Sequence, residues 1–276
     1  MQLFDTHTHL LDDRFDGDRE ELIASLPEKG VLGVIDCACT EADWDRERSL
    51  SDEFPFVYYA LGVHCHNALE ATQGWLSRLE EAVLADPKCV AVGEIGLDYH
   101  YDFAPRELQK EVLRAQLELA VRLDKPVILH DREAHADMLD ALLPFAGRLR
   151  GVLHCYSGSA EMIRQYAPLD LYFGVGGSLT FKTAEKTRAA ARAMPLDRIL
   201  LETDLERVLE DAIRVGYAAL AQTTEMNPVL KKAGVVDAGG KGYLLILDGM
   251  LAELRGVSPG EMAGIAYENA RRLFGV

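Results

Sequence analysis

Eight short, apolar, β-rich runs recur along the chain, and most of the gaps between them carry helical periodicity. The runs are 2–6 (QLFDT), 31–37 (VLGVIDC), 56–62 (FVYYALG), 89–94 (CVAVGE), 126–130 (PVILH), 150–155 (RGVLHC), 171–175 (LYFGV) and 198–203 (RILLET). Helical spacing of apolar residues fills Asp18 to Glu28, Ala42 to Glu53, Trp75 to Ala85, Arg106 to Leu123 and Ala184 to Met194. A strand followed by a helix-length crossover predicts parallel pairing, and eight such units are the number that closes into a (β/α)8 barrel. Barrels of about 250 residues form one unit, so the 276 residues are expected to make a single domain, 1–276. A doubly wound open sheet is the alternative, but such sheets collect their site at one switch point, whereas here polar residues end many strands.

The composition, 49% hydrophobic and 27% charged, is that of a globular protein rather than a disordered or membrane one. No apolar run approaches the roughly 20 residues that cross a bilayer. The opening MQLFDTHTHL has neither a basic n-region nor an apolar h-region, which predicts a cytoplasmic protein with no membrane partner, monomeric or weakly self-associating. Five cysteines (Cys37, Cys39, Cys65, Cys89 and Cys155) make an odd set without CxxC spacing, which predicts reduced, mostly buried thiols. A formal charge of −16 argues against broad adhesion to phosphate backbones, which depends on clustered Lys and Arg. Bound divalent cations would reverse that sign locally.

The first run leads into Asp5-Thr6-His7-Thr8-His9, where alternation along an extended segment sends His7 and His9 to one side. Glu94 ends the fourth run, His130 the fifth, His154 lies in the end of the sixth and Asp204 follows the eighth. Barrel active sites lie at this C-terminal rim. Four His and two carboxylates exceed what one tetrahedral ion needs, whereas two divalent ions sharing a carboxylate use them all. Donor type does not choose among Mg2+, Mn2+ and Zn2+. The bland alternative, unrelated surface and helix-capping polar residues, would not gather them at one rim. Asp204 is the candidate ligand and water-orienting base.

The motifs FDTHTHL, GVHCH (62–66), GEIGLDYHY (93–101), RELQKEVLRAQLELAVRLDKPVILHDREA (106–134), HCYSGSAE (154–161), LLETD (200–204) and LRGVSPGEMAGIAYENARRLFG (254–275) resemble those of the TatD-type metal-dependent deoxyribonucleases, a family of amidohydrolase-like barrels. The resemblance implies that His7, His9, Glu94, His130, His154 and Asp204 are metal ligands, with Glu94 touching both metals, and that Glu94 and Asp204 carry catalysis. It implies phosphodiester cleavage, typically 3′ to 5′ removal of nucleotides from DNA and sometimes action on RNA or damaged ends. DNA ends or nucleotides are then the substrate, with His64, His66 and Arg132 placed to meet phosphate. Tyr99, Tyr156 and Phe181 are either base-stacking residues or, more commonly for strand-end aromatics, rim packing. His100 and His135 are expected to face solvent.

The chain departs from that pattern in places. His64-Cys65-His66 stands where the family more often has HPH, and His130-Asp131-Arg132 where it has HSR, which adds the negative charge of Asp131 near a phosphate site. After Asp204 the usual proline-rich APYL loop and RGKRNEP-like stretch are replaced by an atypical, helix-forming segment at 205–250. Part of it, TTEMNPVLKKAGVVDAGGKGYLLILDGM, resembles a helical segment of dihydroxyacetone-kinase L-type subunits. The acidic magnesium loop of those proteins has no counterpart beyond Asp16-Gly17-Asp18, which lies in a TatD-like stretch, so no second phosphotransfer site is expected. Asp237 to Gly240 reads as a turn. Amphipathic spacing predicts helices from Leu205 to Gln222 and from Tyr243 to Leu254. Two other functions stay open at this point: hydrolysis of another small ester or amide by the same barrel, and an inactive metal-binding scaffold whose helical segment holds a partner.

Overall fold

A computed structural model of the chain describes residues 2–181, 183–203 and 249–276. Asp204, the expected helix from Leu205 to Gln222 and the first part of the one from Tyr243 to Leu254 lie outside the described residues. Residues 249–255 are helical.

Eight strands form one sheet in sequence order: β1 (Leu3–Thr8), β2 (Val31–Cys37), β3 (Val57–Leu61), β4 (Cys89–Asp98), β5 (Val127–Arg132), β6 (Arg150–Leu153), β7 (Asp170–Val175) and β8 (Ile199–Leu201). Every neighbouring pair is parallel. Sequential parallel order is what a barrel requires and a doubly wound sheet violates. Polar side chains draw the first and last strands together. The Thr6 hydroxyl donates to the Leu201 carbonyl at 3.1 Å, and Asp5 accepts from the Thr203 backbone at 3.0 Å and from its hydroxyl at 2.8 Å. Burial pushes the Asp5 carboxyl up to about 7 even though these hydrogen bonds pull the other way.

Besides residues 249–255, the α-helices of the described residues are α1 (Arg19–Ser25), α2 (Trp44–Glu53), α3 (Trp75–Ala85), α4 (Arg106–Leu123), α5 (His135–Leu142), α6 (Ala160–Gln165), α7 (Glu185–Ala193) and α8 (Pro259–Phe274). The ends of α8 show how local sequence sets them. The Ser258 hydroxyl accepts from the Glu261 amide, Pro259 occupies the first turn, and Gly275 closes the helix at φ 75°.

Alternation along the strands splits the core into two shells. Phe4, Ile35, Val90, Ile128, Val152, Tyr172 and Leu200 pack with one another, and Leu273 and Phe274 of α8 join them. The intervening residues, such as Val34, Leu61, Leu129 and Phe173, pack against helix residues including Leu79, Leu113, Leu117 and Met138. Each large side chain buried in this way contributes about 1.5–3 kcal/mol.

Strand ends differ from the sequence reading in ways that matter for the site. β4 continues past Glu94 to Asp98 because Leu97 and Asp98 pair with Asp131 and Arg132 of β5. β6 stops at Leu153, so His154 is the first residue beyond it. Gly96 lies opposite His130, and a Cβ there would overlap the His130 carbonyl oxygen. The missing side chain lets β4 and β5 approach closely, which brings Glu94 to His130.

Candidate metal centre

The end of β1 places His7 and His9 side by side, with their Nε2 atoms 3.1 Å apart. Glu94 Oε2 lies 3.5 Å from His7 Nε2 and 3.6 Å from His9 Nε2. His9 Nδ1 sits 3.0 Å from the Cys37 carbonyl. A carbonyl only accepts, so Nδ1 carries a proton, which in the neutral ring would leave the Nε2 lone pair facing inward. His7 is fully buried.

The other oxygen of Glu94 faces a different set of rings. Oε1 lies 2.9 Å from His130 Nδ1, 3.0 Å from His154 Nε2 and 3.7 Å from His64 Nε2. One buried carboxylate thus divides its two oxygens between two groups of imidazoles. Three donor atoms bound at about 2.0–2.2 Å in a tetrahedral shell stand about 3.3–3.6 Å apart, close to the spacing around Oε2. Electron-rich atoms gathered out of water need positive charge among them, and a His and carboxylate set fits Zn2+, Mn2+ or Mg2+. The donor chemistry therefore fits bound divalent metal.

Electrostatics at the site favours cations. Burial pushes Glu94 up, but the surrounding imidazoles of His154, His64 and His7 and the His130 hydrogen bond outweigh it and hold the carboxyl well below its usual range. Burial likewise opposes charge on His130, yet its bonds to Asp98 and Glu94 raise it to about 10. His64 is held well below its ordinary value by burial, against the pull of Glu94.

Two acidic residues that the sequence reading passed over are built into this cage. Asp98 is fully buried. Its Oδ2 lies 2.8 Å from His66 Nε2 and 3.2 Å from His130 Nε2. Its Oδ1 accepts from the backbone of His100 and Tyr101, both at 2.9 Å. The signal was present in alternation: Glu94, Gly96 and Asp98 share one side of β4. Glu202 is also fully buried. It accepts from the Cys155 amide and stands 3.7 Å from His154 Nδ1, behind that ring.

Buried glutamines on α4 hold the rim from outside the barrel. Gln116 accepts from the Val63 amide at 2.8 Å and donates to the Val63 carbonyl at 3.1 Å, fixing the residue before His64. Gln109 does the same for Asp98, accepting from its amide at 2.9 Å and donating to its carbonyl at 3.1 Å. Seven residues apart, the two amides lie on one face of the helix.

His64 is buried against Glu94, and His66 is part-buried and gathers with Asp98 and His130. The Arg132 guanidinium lies over the Tyr101 ring, 4.6 Å from its centroid. The charge of Asp131 is answered by His135 at 2.8 Å. His100 is exposed, as expected, with its ring 2.9 Å from Glu133, whereas His135 is part-buried. Tyr99 donates to Asp137 at 2.6 Å with Arg106 over its ring. Tyr156 is buried against Tyr166 and Phe173, and Phe181 is part-buried at the end of a short turn. Four of the five cysteines are buried, Cys39 is part-buried, and none of the five is in a disulfide among the described residues.

Comparison with known proteins adds an independent line. The family model described as "TatD related DNase" matches residues 4–275. The chain is 33% identical to the "Uncharacterized metal-dependent hydrolase YabD" of Bacillus subtilis, over 99% of this chain and 98% of that one. It is 31% identical to the "3'-5' ssDNA/RNA exonuclease TatD" of Erwinia tasmaniensis, over 99% of each. Among solved structures it is similar to YjjV, a TatD homologue from Escherichia coli, with a TM-score of 0.81 at 30% identity over 99% of this chain and 98% of that one.

Proposed function

Since the chain belongs to the TatD related DNase family and is a metal-dependent hydrolase of that kind, we propose that it is a two-metal phosphodiesterase removing nucleotides from the 3′ end of DNA. The observation that carries this reading is the division of the Glu94 oxygens between His7 and His9 on one side and His64, His130 and His154 on the other. A relative of equal length bears the name of a 3′-5′ exonuclease, which supports the nucleic-acid substrate.

In this reading His7, His9 and Glu94 hold one ion, and Glu94, His130 and His154 hold the other. Divalent ions bound there bring the pKa of water to near neutrality and offset charge on the phosphate under attack. Asp204, following β8, completes the ligand set and orients the water. His64 packs against the Glu94 carboxylate, and Asp98 fixes the His130 ring. His66 and Arg132, on the solvent side of the cage, meet the substrate phosphate.

The test uses the purified chain with its bound metal measured. It is given a 3′-labelled single-stranded oligonucleotide, a lactone, an amide and a small phosphomonoester in parallel. Stepwise release of nucleotides is expected, falling by on the order of a thousandfold or more on chelation and returning when divalent metal is restored. Turnover of the lactone or amide without the oligonucleotide would assign the barrel to other chemistry. Bound metal with no turnover of any substrate would leave a scaffold.

A further inference from the structure

We propose that Tyr101 and Phe103 form an exposed stacking platform for an unpaired nucleobase of the strand whose end enters the metal cage. The inference rests on the nuclease reading above and adds to it the residues that would hold a base of the strand. The two rings are parallel, with centroids 5.2 Å apart and planes 4° apart. They are not hidden by packing: Phe103 is 61% exposed and Tyr101 41%. Single exposed apolar residues are ordinary on a protein surface, whereas a contiguous stacked pair beside a charged site is not.

The pair sits where a strand bound at the metal centre would pass. It lies in the loop after β4, at the rim that bears Glu94 and Asp98. His66 connects the two places. Its ring stands edge-on to Phe103 at 4.9 Å and to Tyr101 at 5.6 Å, while its Nε2 contacts Asp98 at 2.8 Å. Arg132 lies over Tyr101 and, among the described residues, makes no ion pair. Its positive charge therefore remains available to a phosphate adjoining the stacked base.

The loop is pinned on both sides of the platform, so the rings are displayed by a built turn. The Tyr101 amide donates to Asp98. Asp102 adopts φ 49°, uncommon outside glycine but tolerated by Asp, and is held by Arg106 at 2.8 Å. Ala104 is buried and its carbonyl accepts from Gln109.

Stacking adds to the contacts that Arg132 and bound metal would make with phosphate. With a formal charge of −16 and Asp102 and Glu133 close by, the surface cannot rely on counterion release, the usual source of affinity for nucleic acid. Stacking does not depend on net charge and tolerates any base. A base inside a duplex has both faces covered by its neighbours, so the platform suits a base that is free of such stacking. It also answers the question left by Tyr99 and Tyr156, whose rings are committed to other contacts.

The experiment measures KM and kcat for a 3′-labelled single-stranded oligonucleotide with wild-type protein, Phe103→Ala and Phe103→Trp. A set of oligonucleotides carrying one abasic residue at successive positions is run alongside. Phe103→Ala is expected to raise KM about tenfold with kcat unchanged, and Phe103→Trp to restore it. One abasic position should raise KM for the wild type by a similar factor and have no further effect in Phe103→Ala. Normal cleavage with the same KM in Phe103→Ala, or an abasic penalty that persists in that variant, overturns the platform and leaves the nuclease reading intact. Absence of nucleotide release by the wild type overturns both.

Discussion

Glu94→Gln is expected to lower metal-dependent hydrolysis by on the order of a thousandfold or more, the largest loss of activity from any single change in the described cage. The carboxylate works here because its two oxygens are equivalent acceptors, one near His7 and His9 and the other near His130 and His154. An amide of the same shape offers one acceptor and one donor. It also removes the negative charge that offsets a cation on each side. The NH2 group would face a cation on one of the two sides, or donate to an imidazole lone pair and so withdraw it from the metal. Size is conserved, so the barrel should still fold. The check is the rate of nucleotide release together with metal content: the variant should hold less metal than the wild type at equal free concentration. Wild-type turnover in Glu94→Gln would remove Glu94 from the centre of the chemistry.

The largest expected loss of stability comes from Gln116→Ala, a residue that touches no substrate. Its side-chain amide satisfies both the N–H and the C=O of Val63, and both Gln116 and Val63 are buried. Truncation leaves two main-chain groups without partners, at about 1–3 kcal/mol each, and opens a void beside them. A total of roughly 2–6 kcal/mol in a chain of this size lowers Tm by roughly 4–12 °C. Arg114→Ala, on the solvent side of the same helix with a side chain 74% exposed, is the control and should change stability by no more than about 0.5 kcal/mol. Because Val63 precedes His64, Gln116→Ala should also reduce turnover at temperatures where it remains folded, though less than Glu94→Gln. Thermal unfolding of the three proteins checks both expectations. Equal melting temperatures for the Gln116 and Arg114 variants would show that the Val63 contact contributes nothing.

The barrel was legible because its two periodicities are written directly in the chain, two along strands and 3.6 along helices. His7 and His9 followed from alternation at the end of β1, and Glu94 and His130 from the ends of apolar runs, although both lie inside their strands, β4 and β5. Asp98 was missed because a glutamate in an apolar run looks like the end of a strand, while β4 continues through Leu97 and Asp98 to pair with β5. Glu202 looked like part of a strand end and proved to be a buried acceptor for the Cys155 amide. Gln109 and Gln116 carry no local signal at all. A polar residue on the apolar face of a helix reads as a flaw in the pattern until the backbone it satisfies is known. The aromatics show the same limit. Tyr99 and Tyr101 are two residues apart, yet one hydroxyl is spoken for by Asp137 and the other ring is exposed, a difference set by packing across the rim.

The most direct test of the central claim is titration of metal-stripped protein with divalent metal while nucleotide release from a 3′-labelled single strand is followed. Two sites sharing Glu94 predict that activity saturates at two equivalents per chain, with little release at one. Saturation at a single equivalent, or no release at any loading, would contradict a two-metal phosphodiesterase.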